Sequence, residues 1–409
     1  MSQLNPRLSH LQCTLCATHF PVDQPMNLCP HDHRPVQMMY DTTAMKTDQW
    51  YHPERRDLWR FAGLLPMAEG FRSFGEGYTP LLDYRDQSLA AQHGFSLFVK
   101  DEGMGHPGFG QNPTLSFKDR GMAVVANMAA HYGLNKLVVP TQGNAGDSLA
   151  WYANQMGLAA TIIMPDDTPA PIQGSVAALA YHNPHIKLDM VKGTIKEAGL
   201  KMKAEYLDQG YFNVATFQEP GWRIEGKKTM GLELAEPNAQ CDQWRLPDVI
   251  LYPTGGGTGI LGMWKAFDEL EALGMIGDQR PKIIAVQSAA TPPVKNAIDA
   301  GLFEPEPTPA GHTLAVGLNV AGGIGHFKVM DIIRQSGGTS VAINERDIAH
   351  TLQQVWQDKH WWLCPEGAAC LAALPELIDQ QMINSKDQVV VFNTGSFEKY
   401  LPDVRHLLG

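Results

Sequence analysis

An α/β fold of two three-layer domains, preceded by a small cysteine-bearing segment, is what three features of the sequence predict. Short β-rich runs alternate with helical patterns from about residue 95 onward, glycine-rich turns follow several of those runs, and 44% of the 409 residues are hydrophobic. The alternation implies parallel sheets with helical crossovers, and the length and apolar content suffice for two cores.

In chain order, residues 96–102 (SLFVKDE) read as a strand, 118–133 as a helix, 136–141 as a strand, 144–157 as a helix and 159–165 as a strand. The rhythm resumes with strand 185–193, helix 194–209, strands 211–216 and 248–254, helix 260–274, strand 282–288 and strand 387–396. Residues 290–326 are rich in Pro, Gly and Ala with little periodicity, which suits an ordered wall or a cover. The expected divisions are 1–42, 43–190 and 191–409.

The net charge of -11 argues against nucleic acid or anionic membrane as partner, since both select basic surfaces. No apolar run approaches the roughly 18 residues of a membrane span, and the amino terminus lacks a signal-peptide layout. Six cysteines without a paired framework fit a reducing compartment. A cytoplasmic protein with a small-molecule substrate is expected.

Three junctions carry glycine: 140–150 (PTQGNAGDSLA), 252–262 (YPTGGGTGILG) and 392–400 (FNTGSFEKY). At the carboxyl edge of parallel strands such turns gather around ligands, so one cleft is expected. The second suits a phosphate, because glycines admit close backbone approach and a helix start presents N–H groups. It lacks the Gly-Lys-Ser/Thr ending of a nucleotide P-loop. Gly257, Gly259 and Gly262 do spell G-x-G-x-x-G, but a dinucleotide also needs an acid after the next strand, where Gln287 and Ser288 stand. A lone phosphate fits better.

A phosphate loop (Thr254, Gly255, Gly256, Gly257, Thr258, Gly259), a lysine ahead of an apolar helix, and Asn144 and Thr394 at edge turns together suggest pyridoxal phosphate. Lys118 would form the Schiff base, its titration eased by partial burial beside Phe117. Asn144 would hydrogen-bond the ring hydroxyl, and the Thr394 hydroxyl would face the pyridine nitrogen. Blander uses exist for each: a surface lysine, a helix N-cap, a strand end. Asp119 and Arg120 read as a structural ion pair, Arg223 and Lys228 as helix-flanking charges or cations for an anionic substrate, and Glu366 as a cap or a neighbour of the imine.

The blocks GEGYTPLL, VKDE, NPTLSFKDRG, QGNAGDSLAWYA, RIEGKKTMGLELAE, YPTGGGTGILGMWKAF, CPEGAACLAAL and FNTGSFEKY follow one another in an order that resembles the threonine synthase group of fold-type-II pyridoxal-phosphate enzymes. The resemblance covers nearly the whole chain and implies that fold type, the roles above, substrate contacts at Arg223 and Ser116, and a homodimer. Three departures stand out: Leu115 replaces the glycine of the family's N-P-T-G-S-F-K, Ala145 a common threonine, and Phe397-Glu398 a common Gly-Leu.

The implied reaction converts O-phosphohomoserine and water to threonine and phosphate, with Lys118 moving protons. Ala145 favours the competing reading, a pyridoxal-phosphate ammonia-lyase or β-replacement enzyme. A dinucleotide-dependent oxidoreductase and a non-enzymatic interaction protein are weaker readings.

Residues 13–41 resemble a zinc ribbon with one C-x-x-C knuckle intact and the second reduced to Cys29, Asp32 standing in the missing cysteine's place. Cys13, Cys16 and Cys29 with His33 are the expected ligands of a structural zinc, on C-x-x-x-H spacing. A decayed ribbon without metal is the alternative.

Overall fold

The computed structural model describes residues 3–215, 221–238 and 241–407. The chain divides into two compact units, one of residues 1–78 with 110–229, the other of 79–109 with 230–409.

In the first unit, four parallel strands run in the order Ile186–Val191, Ala159–Pro165, Lys136–Pro140, Phe212–Asn213. Alternation along them separates two cores. Leu137, Val139, Ala160, Ile162 and Met164 face the helices Lys118–His131 and Asn144–Met156, whereas Val138 and Ile163 pack with Ala198, Met202 and Tyr206 of and beside Ile195–Glu205. A parallel sheet buried on both faces is the three-layer arrangement the sequence predicts. Residue 216, expected to end the strand run 211–216, lies outside the described residues.

The helix Ala170–His182 has no counterpart in the sequence reading. Its apolar residues are spread around the axis and, among its side chains, only Ile172 and Val176 are buried, so no 3.6-residue stripe marks it.

The amino-terminal segment is not a separate domain. Its antiparallel sheet, with Leu8–Cys13 between His19–Phe20 and Val36–Tyr40, sends Leu8, Leu11, Val36 and Met38 into the first unit's core. A short ribbon cannot bury both faces alone, and here the body of the unit covers one.

In the second unit, six strands run in the order Thr339–Ile343, Lys282–Ser288, Val249–Pro253, Gln388–Asn393, Ser96–Asp101, Leu81–Asp83, parallel except for the last pair. The expected boundary at residue 190 does not coincide with this partition. Ser96–Asp101 belongs to the later sheet because it pairs in register with Gln388–Asn393. Residues 290–326 hold the helix Pro293–Asp299 and contribute buried Ala315 and Leu318 to this unit's core, as a wall does.

Glycine permits a close helix crossing in the first unit. A Cβ on Gly226, in the helix Trp222–Ala235, would lie 1.9 Å from the Arg120 carbonyl oxygen, and one on Gly121 would lie 3.3 Å from both the Arg223 Cα and the Lys227 Cε. Backbone therefore meets backbone at the first turn of the lysine helix.

Glu76 is fully enclosed, accepting hydrogen bonds from Trp59 Nε1 (2.8 Å), the Phe74 N–H (2.9 Å) and the Tyr152 hydroxyl (3.0 Å). Burial pushes its carboxyl from 4.5 up to about 7 despite these donors. The folded state thus holds the proton more tightly than the unfolded state, and stability falls as pH rises from 4.5 through about 7. In Glu76→Gln that slope should disappear, the variant gaining on wild type across this window by at most roughly 3 kcal/mol. Thermal melts between pH 4.5 and 8 check it; parallel pH dependences in the two proteins would contradict it.

Candidate active site

Within the first unit, Lys118 opens the helix Lys118–His131 directly after the Asn112–Pro113 turn. Its ammonium lies 4.3 Å from the centroid of the Phe117 ring, and the Lys227 ammonium lies 5.5 Å from the same centroid. Lys118 is half-buried, whereas Phe117, Ser116 and Lys227 are buried. The Lys118 N–H donates to Ser116 Oγ at 3.4 Å, so that hydroxyl braces the lysine turn.

Asn144 is the first residue of the helix Asn144–Met156, with Gly143 rather than Asn144 in the cap position. Arg223 is buried and its Nη1 donates to the Val214 carbonyl at 3.0 Å. Lys228 is committed elsewhere, 2.6 Å from Glu225, which also accepts the Tyr40 hydroxyl. Asp119 accepts hydrogen bonds from Thr114 and Ser148, contacts that the ion-pair reading with Arg120 did not foresee.

Within the second unit, adjacent parallel strands Val249–Pro253 and Gln388–Asn393 deliver the glycine loop and Thr394 to the same sheet edge. Gly257 has φ of 71°, the left-handed region that favours glycine, and caps the helix Thr258–Ala272. A Cβ on Gly255 would lie 2.2 Å from the Gly317 carbonyl oxygen, and one on Gly259 would lie 2.1 Å from the Tyr252 ring. Thr254 is tied down through its N–H to Val286 (2.7 Å) and its hydroxyl to the Tyr252 carbonyl (2.8 Å). Such a glycine-lined helix start, with first-turn N–H groups directed outward, fits a phosphate.

Three supports of this edge, at His326, Cys364 and Asp101, escaped sequence reasoning, and a fourth, Glu366, was read there only as a cap or a neighbour of the imine. His326, whose pKa is lowered by burial, donates from Nε2 to the Gly255 carbonyl at 2.9 Å. Glu366 accepts the Gly317 N–H at 2.8 Å, and burial raises its pKa. Cys364 Sγ lies 3.7 Å from Thr394 Oγ1, and its N–H donates to Asn393 Oδ1 at 2.8 Å. Asp101 in turn accepts Asn393 Nδ2 and His106 Nε2, both at 2.8 Å, which anchors the segment GMGHPGF at 103–109. No spacing rule links residues this far apart in the chain. Phe397, at the family's Gly-Leu position, stacks on Trp362 with centroids 4.7 Å apart.

Residues 72–395 match the model of the family described as pyridoxal-phosphate dependent enzyme. The chain belongs to that family. It is 30% identical to a threonine synthase of Methanosarcina acetivorans over 95% of this chain and 92% of the relative, and 27% identical to one of Methanocaldococcus jannaschii over 94% and 91%. Among solved structures it resembles diaminopropionate ammonia lyase from Escherichia coli (TM-score 0.65, 18% identity, 82% of this chain and 88% of that one). It is similar likewise to a fungal L-serine ammonia-lyase from Rhizomucor miehei (TM-score 0.64, 18% identity, 81% and 98%). These two likenesses concern the fold. The cofactor of this pyridoxal-phosphate enzyme is therefore the one the motifs suggest, and its substrate is an amino acid.

Leu115 departs from the family's glycine at a telling place, since its φ is 53°. A β-carbon in the left-handed region costs about 1–2 kcal/mol, which a glycine there avoids.

The metal cluster differs from expectation. Ligand atoms of Cys13, Cys16, Cys29 and Asp32 all lie within 4.8 Å of one another, and His33 is not among them. His33 has φ of 56° and donates its N–H to the Cys29 carbonyl at 2.9 Å, a turn that presents Asp32, not His33, to the thiols. The Cys16–Cys29 sulfur separation is 3.7 Å, and Cys13 Sγ lies 3.2 Å from Asp32 Oδ2. Two thiolates at about 2.3 Å from one tetrahedral ion stand about 3.8 Å apart, and a thiolate–carboxylate edge is about 3.5 Å. Burial raises the Cys13 thiol to about 12, and the Leu15 and Cys16 N–H groups, both donating to Cys13 Sγ at 3.4 Å, oppose that rise. Three cysteines and one aspartate thus fit a structural zinc.

Two expectations follow from this geometry. Leu115→Gly should be more stable than Leu115→Ala by about 1 kcal/mol, reversing the usual order, because only glycine relieves the backbone strain. Equilibrium denaturation of both variants decides the order. Metal analysis should find about one zinc per chain, and Asp32→Ala should weaken its retention against a chelator at least tenfold while His33→Ala leaves it unchanged. The opposite pattern would restore His33 as ligand.

Proposed function

We propose that this enzyme is a threonine synthase: O-phosphohomoserine loses phosphate by γ-elimination, and water adds at the β-carbon to give threonine. The observation that carries the reading is the likeness to threonine synthases along nearly the full length of both chains. The glycine-mediated approach of Arg223 and Lys227 to the lysine helix supports it, since a phosphorylated substrate needs cations near the reacting lysine.

Lys118 would hold the cofactor's aldehyde through its amine, and that amine, once free, would take and return protons at the substrate's α, β and γ carbons. Phe117 shields it from water on one side, and Ser116 holds its turn. Thr254 and the backbone of Gly255, Gly256, Gly257, Thr258 and Gly259 would hold the cofactor's phosphate through N–H groups and the helix dipole. Asn144 would donate to the cofactor's ring hydroxyl. The Thr394 hydroxyl would face the ring nitrogen, and being neutral it would not hold that nitrogen protonated. When bound, the cofactor supplies a conjugated ring that spreads carbanion charge. Arg223 receives the departing phosphate. Cys13, Cys16, Cys29 and Asp32 hold zinc in a structural role, and the enzyme works as a homodimer.

One feature favours a second reading, an ammonia-lyase. Ala145, beside Asn144, is buried and offers a substrate phosphate no hydroxyl.

Incubated with O-phosphohomoserine, the enzyme should release threonine and inorganic phosphate in equal amounts, and threonine, serine or 2,3-diaminopropionate should yield little ammonia. Lys118→Ala should abolish turnover, and Arg223→Ala should cost about 2–5 kcal/mol in kcat/KM for the phosphorylated substrate. Ammonia and 2-oxo acid from an unphosphorylated substrate, with no phosphate from phosphohomoserine, would install the lyase.

A further inference from the structure

We propose that Asp119 is a positioning residue that fixes the Lys118 amine relative to the Asn144 carboxamide through Ser148. The proposal rests on the reading of Lys118 and Asn144 as cofactor contacts. Three strong donors converge on this one carboxylate, which is wholly buried: the Thr114 N–H at 2.6 Å on Oδ2, and the hydroxyls of Thr114 (2.7 Å) and Ser148 (2.5 Å) on Oδ1. Asp119 directly follows Lys118, and Thr114 lies in the turn just before it, so two of the bonds clamp the lysine turn on itself.

The third bond reaches another element. Ser148 stands four residues after Asn144 in the helix Asn144–Met156, so the two side chains share a helix face one turn apart. Holding the Ser148 hydroxyl therefore sets the rotation of that helix about its axis, and with it the direction of Asn144. Ser148 is itself fully buried, so water cannot replace the bond. The strained Leu115 lies inside the clamped loop, and the Thr114 bonds oppose its relaxation.

The test uses holoenzyme and a double-mutant cycle. Ser148→Ala should melt, as apoenzyme, within a few degrees of wild type. It should bind pyridoxal phosphate about tenfold more weakly, with a diminished visible circular dichroism band from the bound cofactor. In an Asn144→Ala background, Ser148→Ala should add little further loss, because its effect runs through Asn144. Asp119→Ala should behave like Ser148→Ala and also loosen the lysine turn, since it removes the acceptor of both Thr114 bonds as well as that of Ser148. Unchanged cofactor affinity and dichroism in Ser148→Ala, or losses that add fully to those of Asn144→Ala, would overturn the inference. Full cofactor affinity in Asn144→Ala alone would instead refute the reading of Asn144, and the inference with it.

Discussion

Parallel strand pairing is the constraint on which the candidate site depends. A parallel pair cannot be closed by a hairpin, so each strand is followed by a crossover, and the turns that begin those crossovers collect at the carboxyl edge. The glycine loop and Thr394 become neighbours for this reason, although well over a hundred residues separate them in the chain. The same geometry puts Asp101, at the end of the next strand, within reach of Asn393. Hydrogen bonds from His326 and Glu366 then hold the edge from behind, so that loops of small residues acquire a defined shape.

Close backbone approach is the second device, and it trades stability for proximity. Gly226 and Gly121 give up side-chain packing and add unfolded-state entropy, and in return a helix bearing Arg223 and Lys227 lies against the turn that carries Lys118. Other cations are neutralised where they stand. Lys100 is buried 2.7 Å from Glu233 and donates to the Thr79 carbonyl, and Lys228 is buried against Glu225. Buried pairs of this kind contribute little net stability, but they commit those amines to structure.

Strain and burial concentrate around the lysine motif. Leu115 occupies a left-handed conformation, Asp119 is sealed among donors, and Glu76 takes up a hydroxyl from Tyr152 on the asparagine helix. Each is costly alone, and together they over-determine one arrangement of the loop, which is how strained residues persist in folded proteins.

The sequence by itself determined the fold class and most strands and helices, and it singled out the candidate site residues, because periodicity and glycine placement are local properties of the chain. It named Lys118, Asn144, the 254–259 loop and Thr394 from neighbours a few positions away. Only the tertiary structure decided what long-range pairing controls. Residues 79–109 pack with the later unit because Ser96–Asp101 pairs with Gln388–Asn393, a register no local pattern records. Asp32 rather than His33 meets the three thiols, because a left-handed turn at His33 directs the chain so, and C-x-x-x-H spacing carries no information about that dihedral angle. Asp119 reaches Ser148 across two helices, and the hydrogen bond exists only once those helices are packed.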